Sequence, residues 1–297
     1  MIDELKKISS KLESKIVFNK DIGKETWFRT GGKAKIFISV HNEKELDIFL
    51  NMLKNENFFV IGAGTNLLIR DKGYNGVILK LGKGFNKIEI INDYVKVGAS
   101  ILDSNLSKFA KINSIENFEF YSGIPGTIGG AVKMNAGCFG SETKDILTKV
   151  NLINSNGKNV EIPADNLHLK YRSSNLKDQD IVISALFKFT YGSAKLIDEK
   201  LKYIKNERNK KQPIKEKTSG STFKNPPNHF AAELIEKSGC KGLEYGDAIV
   251  SDLHSNFLIN KGRASAADIE NLGKKIIEKV FNKFNILLDW EIKLVGE

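Results

Sequence analysis

The chain alternates between two hydrophobic periods. AKIFISV at 34–40 is apolar at every second position and reads as a strand. EKELDIFLNMLKNE at 43–56 then sets Leu46, Phe49, Leu50 and Leu53 on one helical face, and FFVIGAG resumes as a buried strand running into glycine. This is a β-α-β opening. From GVILKLGKGFNKIEIINDYVKVGAS the apolar runs are short and broken by Gly and Asn-Asp, a pattern of meandering sheet. LDSNLSKFAKINS predicts a helix with Leu102, Leu106 and Phe109 facing inward. VNLINSNGKNVEI at 150–162 predicts a hairpin, since Asn156-Gly157 can take the positive φ values of a tight turn, and a further strand follows at 180–189.

Beyond Gly192 the texture changes. A long Lys-rich helix leads to a loop ending in Pro213, then TSGSTFKNPP, a helix over HFAAELIEKSG, a strand in SNFLIN and a helix over ADIENLGKKIIEKVFNKF. That last helix carries Ile269, Leu272, Ile276, Val280 and Phe284 as an apolar stripe, which core packing explains. A domain boundary is expected near residue 192, with 1–192 forming two lobes (about 1–80 and 81–192) and 193–297 a separate C-terminal domain.

At 297 residues and 41% hydrophobic content the chain has enough apolar surface for two or three domains. No run of about eighteen apolar residues is present, and MIDELKKISSKLESK has no apolar stretch for secretion, so no membrane span and a cytoplasmic location are expected. Cys138 and Cys240 lie in neither a CxxC nor a His-rich context and read as free thiols, with no metal site. The net charge of +10 fits nucleic acid, an anionic membrane surface or an acidic small substrate. Its densest run, KYIKNERNKKQPIKEK, is interrupted by Glu207 and Glu216 with apolar positions at helical spacing, so a solvated helix face is favoured over a polyanion patch.

Two glycine-rich segments carry the candidate chemistry. GAGTNLLIRD at 62–71 follows a strand, where backbone N–H groups are free to converge on an anion. It is not the GxGxxG dinucleotide fingerprint, because Asn66-Leu67 replace the third glycine and no helix pattern starts there. SGIPGTIGGAVKMNAG at 122–137 places Pro125 between Gly123 and Gly126 in a sharp turn, and TIGGAVKMNAG predicts a short helix whose first turn exposes unpaired N–H donors. Gly129-Gly130 remove side chains that would keep another group out. A close helix-to-sheet crossing explains this loop as well; two such loops in one domain point to a ligand with two phosphates.

GAGTNLLIRD, SGIPGTIGGAVKMNAGCFG, YRSS at 171–174, GSTFKNP at 220–226 and the terminal WEIKLVGE, in this order, resemble the UDP-N-acetylenolpyruvoylglucosamine reductases (UDP-N-acetylmuramate dehydrogenases) of peptidoglycan synthesis. The resemblance runs from TWFRTGG at 26–32 to the last residue. It implies an α+β chain: a two-lobed FAD-binding fold of the vanillyl-alcohol-oxidase type and a C-terminal α+β substrate-binding domain. It further implies non-covalent FAD, NADPH as hydride donor, and the enolpyruvyl ether of UDP-N-acetylglucosamine as small-molecule acceptor, reduced to UDP-N-acetylmuramate. A monomer that binds no nucleic acid is expected.

By this resemblance Gly62, Ala63, Gly64, Thr65, Asn66 and Leu67, with Gly123, Ile124, Pro125, Gly126, Gly129, Gly130 and Asn135, are the FAD-binding residues. Ser221 matches the family's proton donor, Glu291 its active-site carboxylate and Arg172 its active-site arginine. Tyr171, Lys211 and Asn225 match substrate ligands, with Lys210 a rival for Lys211. One branch of the family inserts a loop with a substrate-clamping tyrosine; here FKFTYGSAKLIDEK runs from strand into helix, and Tyr191 is too near the strand end for that role. The chain therefore resembles the shorter branch. Two rival readings are an oxidase on the same fold with covalent flavin, which needs a His or Cys by a glycine loop, and a polyanion binder. His41, His168, His229 and His254 lie outside the two loops, although Cys138 is near the second.

Overall fold

The computed structural model describes residues 2–54 and 56–297. Seven α-helices are described: α1 (Ile2–Ser9), α2 (Glu43–Met52), α3 (Asp103–Ile112), α4 (Ile128–Met134), α5 (Ala194–Lys211), α6 (Ala231–Lys237) and α7 (Ala266–Phe284). The chain divides into two compact units. One comprises the residues up to Phe18, Ile36–Ala63 and Gly76–Asn206; the other comprises Asn19–Lys35, Gly64–Asn75 and Glu207–Glu297.

The first unit holds two sheets. The strands Lys15–Lys20, Ala34–Val40, Tyr74–Leu81 and Phe58–Ile61 form a four-stranded sheet in that spatial order, with Phe58–Ile61 parallel to Tyr74–Leu81. The β-α-β opening is therefore present, with a third strand between its two. Ile36, Ile38 and Val40 pack on Leu46, Phe49 and Leu53 of α2, the helical face read from the sequence. Asn42 caps α2 by accepting from the Glu45 N–H at 3.0 Å. The second sheet has five strands, ordered Asn159–Pro163, Leu147–Ile153, Ile181–Lys188, Tyr94–Gly98 and Ile88–Ile91, and every pairing in it is antiparallel. Helices α3 and α4 supply Leu106, Ile128 and Val132 to its core.

Two details differ from expectation. The 150–162 hairpin is present, but only Gly157 of the Asn156-Gly157 pair has positive φ (75°). The turn is instead organised by the Asn154 side chain, which accepts from the N–H groups of Asn156 (3.0 Å) and Lys158 (3.1 Å). Leu102 faces outward, because it is the N-cap of α3 in extended conformation and not a residue of its inner face.

The second unit is built on α7. Ile269, Leu272, Ile276 and Val280 are fully buried against Phe28, Phe223, Ala231 and Ile235, and Phe284 packs at the edge. A capping box starts the helix: Ser265 accepts from the Asp268 N–H at 3.0 Å and Asp268 from the Ser265 N–H at 2.9 Å. The Asp71 carboxylate accepts from the next two N–H groups, of Ala266 and Ala267, both at 2.9 Å. Leu67–Ile69 pairs in parallel with Lys293–Val295, and Arg70 grips both the Glu270 carboxylate at 2.8 Å and the Gly296 carbonyl at 3.0 Å. A three-stranded sheet of Glu244–Tyr245, Ala248–Val250 and Leu258–Asn260 completes the unit.

Gly273 lies in the middle of α7, where alanine ordinarily adds about 1 kcal/mol of stability. Here a Cβ would fall inside van der Waals contact with the Trp290 ring, which itself packs at a tilt against Phe223, with ring centres 5.0 Å apart. Gly273→Ala is therefore expected to destabilise the protein, by about 1–3 kcal/mol, as a lower midpoint in thermal denaturation; a raised midpoint would contradict the packing described.

Candidate active site

In the first unit a cavity of about 170 Å³ opens at the start of α4. Its wall combines small residues, Gly62 and Ala63 from one segment, Ala99 and Ser100 from a second and Gly129 and Gly130 from α4, with the larger apolar side chains of Val60, Ile61, Leu81, Leu102 and Val182. Gly62 is required by close approach, since a Cβ there would overlap the Thr127 hydroxyl. At Gly130 the nearest heavy atom to a built Cβ is the same hydroxyl, at 3.7 Å, so the space in front of this residue is open. Thr127 is the N-cap of α4 but makes no capping hydrogen bond with its side chain, and its hydroxyl faces Gly62 and Gly130. Lys80 and Lys133 also line the cavity, with Asp180.

The first turn of α4 differs from expectation. Its Ile128 and Gly129 N–H groups donate to the carbonyls of Ile101 and Ala99, both at 2.9 Å, so these two donors hold the helix on the sheet. Close packing has won over an open anion hole at those atoms; of the two lysines in the lining, Lys133 has its ammonium donating to the carbonyls of Lys177 (2.8 Å) and Asp178 (3.0 Å). Gly123, Ile124, Pro125 and Gly126 form the half-buried turn before α4, outside the cavity wall. Asn135 is fully buried in left-handed conformation at the end of α4. Its amide donates to Glu142 (3.0 Å) and the Lys170 carbonyl (3.1 Å) and accepts from the Lys144 N–H (2.9 Å). It shapes the turn and presents no side-chain surface to a ligand.

The same end of α4 fixes Arg172. Lys170 and Ser173 exchange two backbone hydrogen bonds, of 3.0 and 3.1 Å, around Tyr171 and Arg172, and Arg172 has φ 51°. A non-glycine residue holds that conformation where its surroundings over-determine it. Here the Arg172 guanidinium donates to the Gly137 carbonyl at 2.7 Å, Ser174 donates to the Lys133 carbonyl at 2.6 Å, and Asn135 grips Lys170. Tyr171 is exposed, with the guanidinium 5.0 Å from its ring centre. The segment that carries Arg172 is thus tied, through Ser174 and Lys170, to the end of the helix that lines the cavity.

Burial governs one other acid in this unit. Asp103, in the first turn of α3, is fully enclosed with neither carboxyl oxygen hydrogen-bonded, and this desolvation raises its pKa well above the usual carboxylate range. The Asp103 N–H donates to the Gly126 carbonyl at 3.2 Å, so the acid sits behind the glycine turn and out of solvent.

In the second unit Ser221 and Glu291 lie on neighbouring segments. The Glu291 N–H donates to the Thr222 carbonyl at 2.8 Å, and Phe223 forms an isolated bridge with Trp290. Ser221 is half-buried and bridges Phe257. Asn66 joins this arrangement: its amide donates to the Glu291 carbonyl and its own carbonyl accepts from the Lys293 N–H, both at 3.0 Å. Leu67 follows in the strand paired with Lys293–Val295, while Gly64 (φ 69°) accepts from the Trp27 N–H at 3.1 Å, with Thr65 between. Lys211 is exposed and paired with Glu207 at 2.6 Å. Asn225 is exposed too, and its side chain accepts from the Ala231 N–H at the start of α6 at 2.9 Å.

Each unit therefore gathers part of the expected set: Gly62, Ala63, Gly129 and Gly130 at the cavity of one, and Asn66, Leu67, Ser221 and Glu291 in the other. Thr127, Lys80 and Lys133 were missed from the sequence. Thr127 carried a signal, as a capping-type residue just before an Ile-Gly-Gly helix start; the lysines carried none among 46 basic residues.

Among the described residues no helix is long and apolar enough to cross a membrane, and no cluster of His, Cys, Asp or Glu is placed to hold a metal. Residues 34–163 match the family of FAD binding domains, and residues 212–295 match the C-terminal domain of UDP-N-acetylenolpyruvoylglucosamine reductase. The chain is 44% identical over 272 residues to the UDP-N-acetylenolpyruvoylglucosamine reductase of Rickettsia massiliae, covering 91% of this chain and 92% of that one. It is 43% identical over 286 residues to the enzyme of the same name from Caulobacter vibrioides, covering 95% of each. The crystal structure of the reductase from Thermus caldophilus superposes with a TM-score of 0.84 at 30% identity, covering 96% of this chain and all of the other. The fold class and cofactor class expected from the sequence hold, and the oxidase and polyanion-binder readings give way. The chain belongs to the UDP-N-acetylenolpyruvoylglucosamine reductase family.

Proposed function

We propose that the protein is an FAD-dependent reductase that uses NADPH to convert the enolpyruvyl ether of UDP-N-acetylglucosamine to UDP-N-acetylmuramate in peptidoglycan synthesis. The observation that carries the reading, in a chain of this family, is the direct joining of the Ser221 and Glu291 segments through the Glu291 N–H and Thr222 carbonyl, 2.8 Å apart. In sequence order the FAD-binding region is assigned to residues 1–192 and the substrate-binding region to 193–297, although 19–35 and 64–75 belong to the second compact unit and 193–206 to the first. The same reading puts a monomer in the cytoplasm, of the branch without the tyrosine loop.

The cavity at α4 fits a diphosphate. The Gly62, Ala63, Gly129 and Gly130 part of its wall admits a ligand backbone, the Thr127 hydroxyl is turned toward it, and Lys80 offsets its charge. The turn 123–126 and the loop 64–67 are the further elements assigned to FAD. When bound, the flavin supplies the hydride that it takes from NADPH.

The residues of the second unit manage the proton. Hydride addition at the methylene carbon of the enolpyruvyl group leaves negative charge at the adjacent carbon, spread into its carboxylate. Ser221 holds the proton that quenches it, on Oγ. A hydroxyl is a weak acid, so its use depends on placement within hydrogen-bonding reach. Glu291 stabilises the enol form by hydrogen bonding, and Arg172, a residue of the first unit, is assigned as the planar fork of donors for a carboxylate. Lys211 and Asn225 are assigned to the anionic substrate, with Tyr171 beside Arg172.

Ser221→Ala is expected to leave the bleaching of flavin absorbance by NADPH within about twofold of wild type, while its return on adding the enolpyruvyl substrate slows by about a hundredfold or more. Equal loss of both steps would remove Ser221 from the proton-donor role. Gly130→Ala separates binding from folding. The apoprotein is expected to gain up to about 1 kcal/mol, as for alanine in any helix interior with room for it, whereas flavin affinity falls by about tenfold or more as the methyl group enters the ligand space. Calorimetry of the apoprotein and fluorescence titration with FAD read the two effects; unchanged flavin affinity would remove the diphosphate from this cavity.

A further inference from the structure

The segment that carries Ser221 is held by one residue to which neither the glycine loops nor the substrate groups draw attention. Asn256 is buried, with 3% of its surface exposed. Its side-chain oxygen accepts from the Phe223 N–H at 2.9 Å and its amide donates to the Phe223 carbonyl at 2.8 Å, so one side chain closes both backbone groups of a single residue. Its own carbonyl accepts from the Thr222 N–H at 2.8 Å. Three hydrogen bonds therefore fix the two residues that follow Ser221, and the Thr222 carbonyl between them accepts the Glu291 N–H.

Asn256 is itself fixed. The turn 251–257 closes through Ser251 N–H to the Phe257 carbonyl (2.9 Å) and Phe257 N–H to the His254 carbonyl (3.0 Å), and the Ser251 hydroxyl accepts from the N–H groups of Leu253 (3.1 Å) and His254 (3.3 Å). The Asn256 N–H donates to Nδ1 of His254 at 3.3 Å, and the His254 ring packs edge-on against Phe257 at 4.6 Å. An accepting Nδ1 requires a neutral ring, and burial lowers the pKa of His254 in that direction. Next in sequence, Phe257 bridges Ser221. The turn thus presents a preset two-point grip to the Ser221 strand.

We propose that Asn256 is a positioning residue for the reaction: through Phe223 and Thr222 it sets the placement of Ser221. The inference rests on the role given to Ser221 above. Misplacement of a reacting group by about 1 Å costs about a hundredfold in rate, and loss of the grip acts at that scale without touching substrate. Asn256→Asp keeps the size and the acceptor for the Phe223 N–H but replaces the donor to the Phe223 carbonyl with a second acceptor.

The experiment is anaerobic stopped-flow on FAD-loaded enzyme, following flavin absorbance. Asn256→Asp is expected to leave reduction by NADPH within about twofold and to slow reoxidation by the enolpyruvyl substrate by about ten- to a hundredfold, with little change in the substrate concentration for half-maximal rate. In a Ser221→Ala background the same change is expected to add no further slowing, because its effect passes through Ser221; a purely structural residue would slow both backgrounds alike. If Asn256→Asp does not fold, Asn256→Ser, which fits the site but loses the two-point grip, carries the same expectation. If Ser221→Ala slows reoxidation and Asn256 variants do not, the positioning role is overturned while the function stands. If Ser221→Ala itself has no effect, the function reading fails first.

Discussion

The candidate acid-base groups of the second unit are brought together by one backbone hydrogen bond, from the Glu291 N–H to the Thr222 carbonyl. It joins the end of the chain to the GSTF segment, and each partner is anchored on its far side by an asparagine: Asn66 on the Glu291 carbonyl and Asn256 on Phe223 and Thr222. Buried backbone groups in irregular segments have no ladder to satisfy them, and leaving one unpaired costs about 1–3 kcal/mol. Asparagine supplies a donor and an acceptor in one short side chain, which is the chemistry a non-repetitive strand crossing needs. Stability and placement of the proposed acid-base groups therefore rest on the same bonds.

The first unit solves a different problem, that of holding small residues and a cation in fixed relation to a cavity. Helix α4 is tied at its start by Ile128 and Gly129 to the carbonyls of Ile101 and Ala99, and at its end by Asn135, which also pins the turn bearing Arg172. A seven-residue helix has little stability of its own. Its rigidity comes from these two tethers and from Ile128 and Val132 in the core. The left-handed backbone of Arg172 is the local cost of presenting a guanidinium from so tight a turn.

Periodic elements were legible in the sequence because one physical rule writes them. The stripe of Ile269, Leu272, Ile276 and Val280 and the alternation of Ala34, Ile36, Ile38 and Val40 record burial on one face. Leu102 was misread because an N-cap residue escapes the helical period it precedes. The 154–158 turn was half-legible: glycine at 157 was needed, but the Asn154 side chain organises the turn. At the site, glycine marked close approach at Gly62 and open space at Gly130, yet nothing in the sequence separated these from Asn135, whose amide is consumed by the fold. Asn256 left no trace, since the partners of its side chain are backbone atoms more than thirty residues away.

The central claim is that this chain carries a flavin which accepts reducing equivalents from NADPH and passes them to an enolpyruvyl UDP-sugar. The most direct measurement is the visible absorption spectrum of the wild-type protein loaded with FAD, recorded anaerobically after NADPH and again after UDP-N-acetylglucosamine enolpyruvate. The account predicts a flavin band that bleaches with the first and returns with the second. A band that bleaches and does not return, or a protein that takes up no FAD, would contradict it.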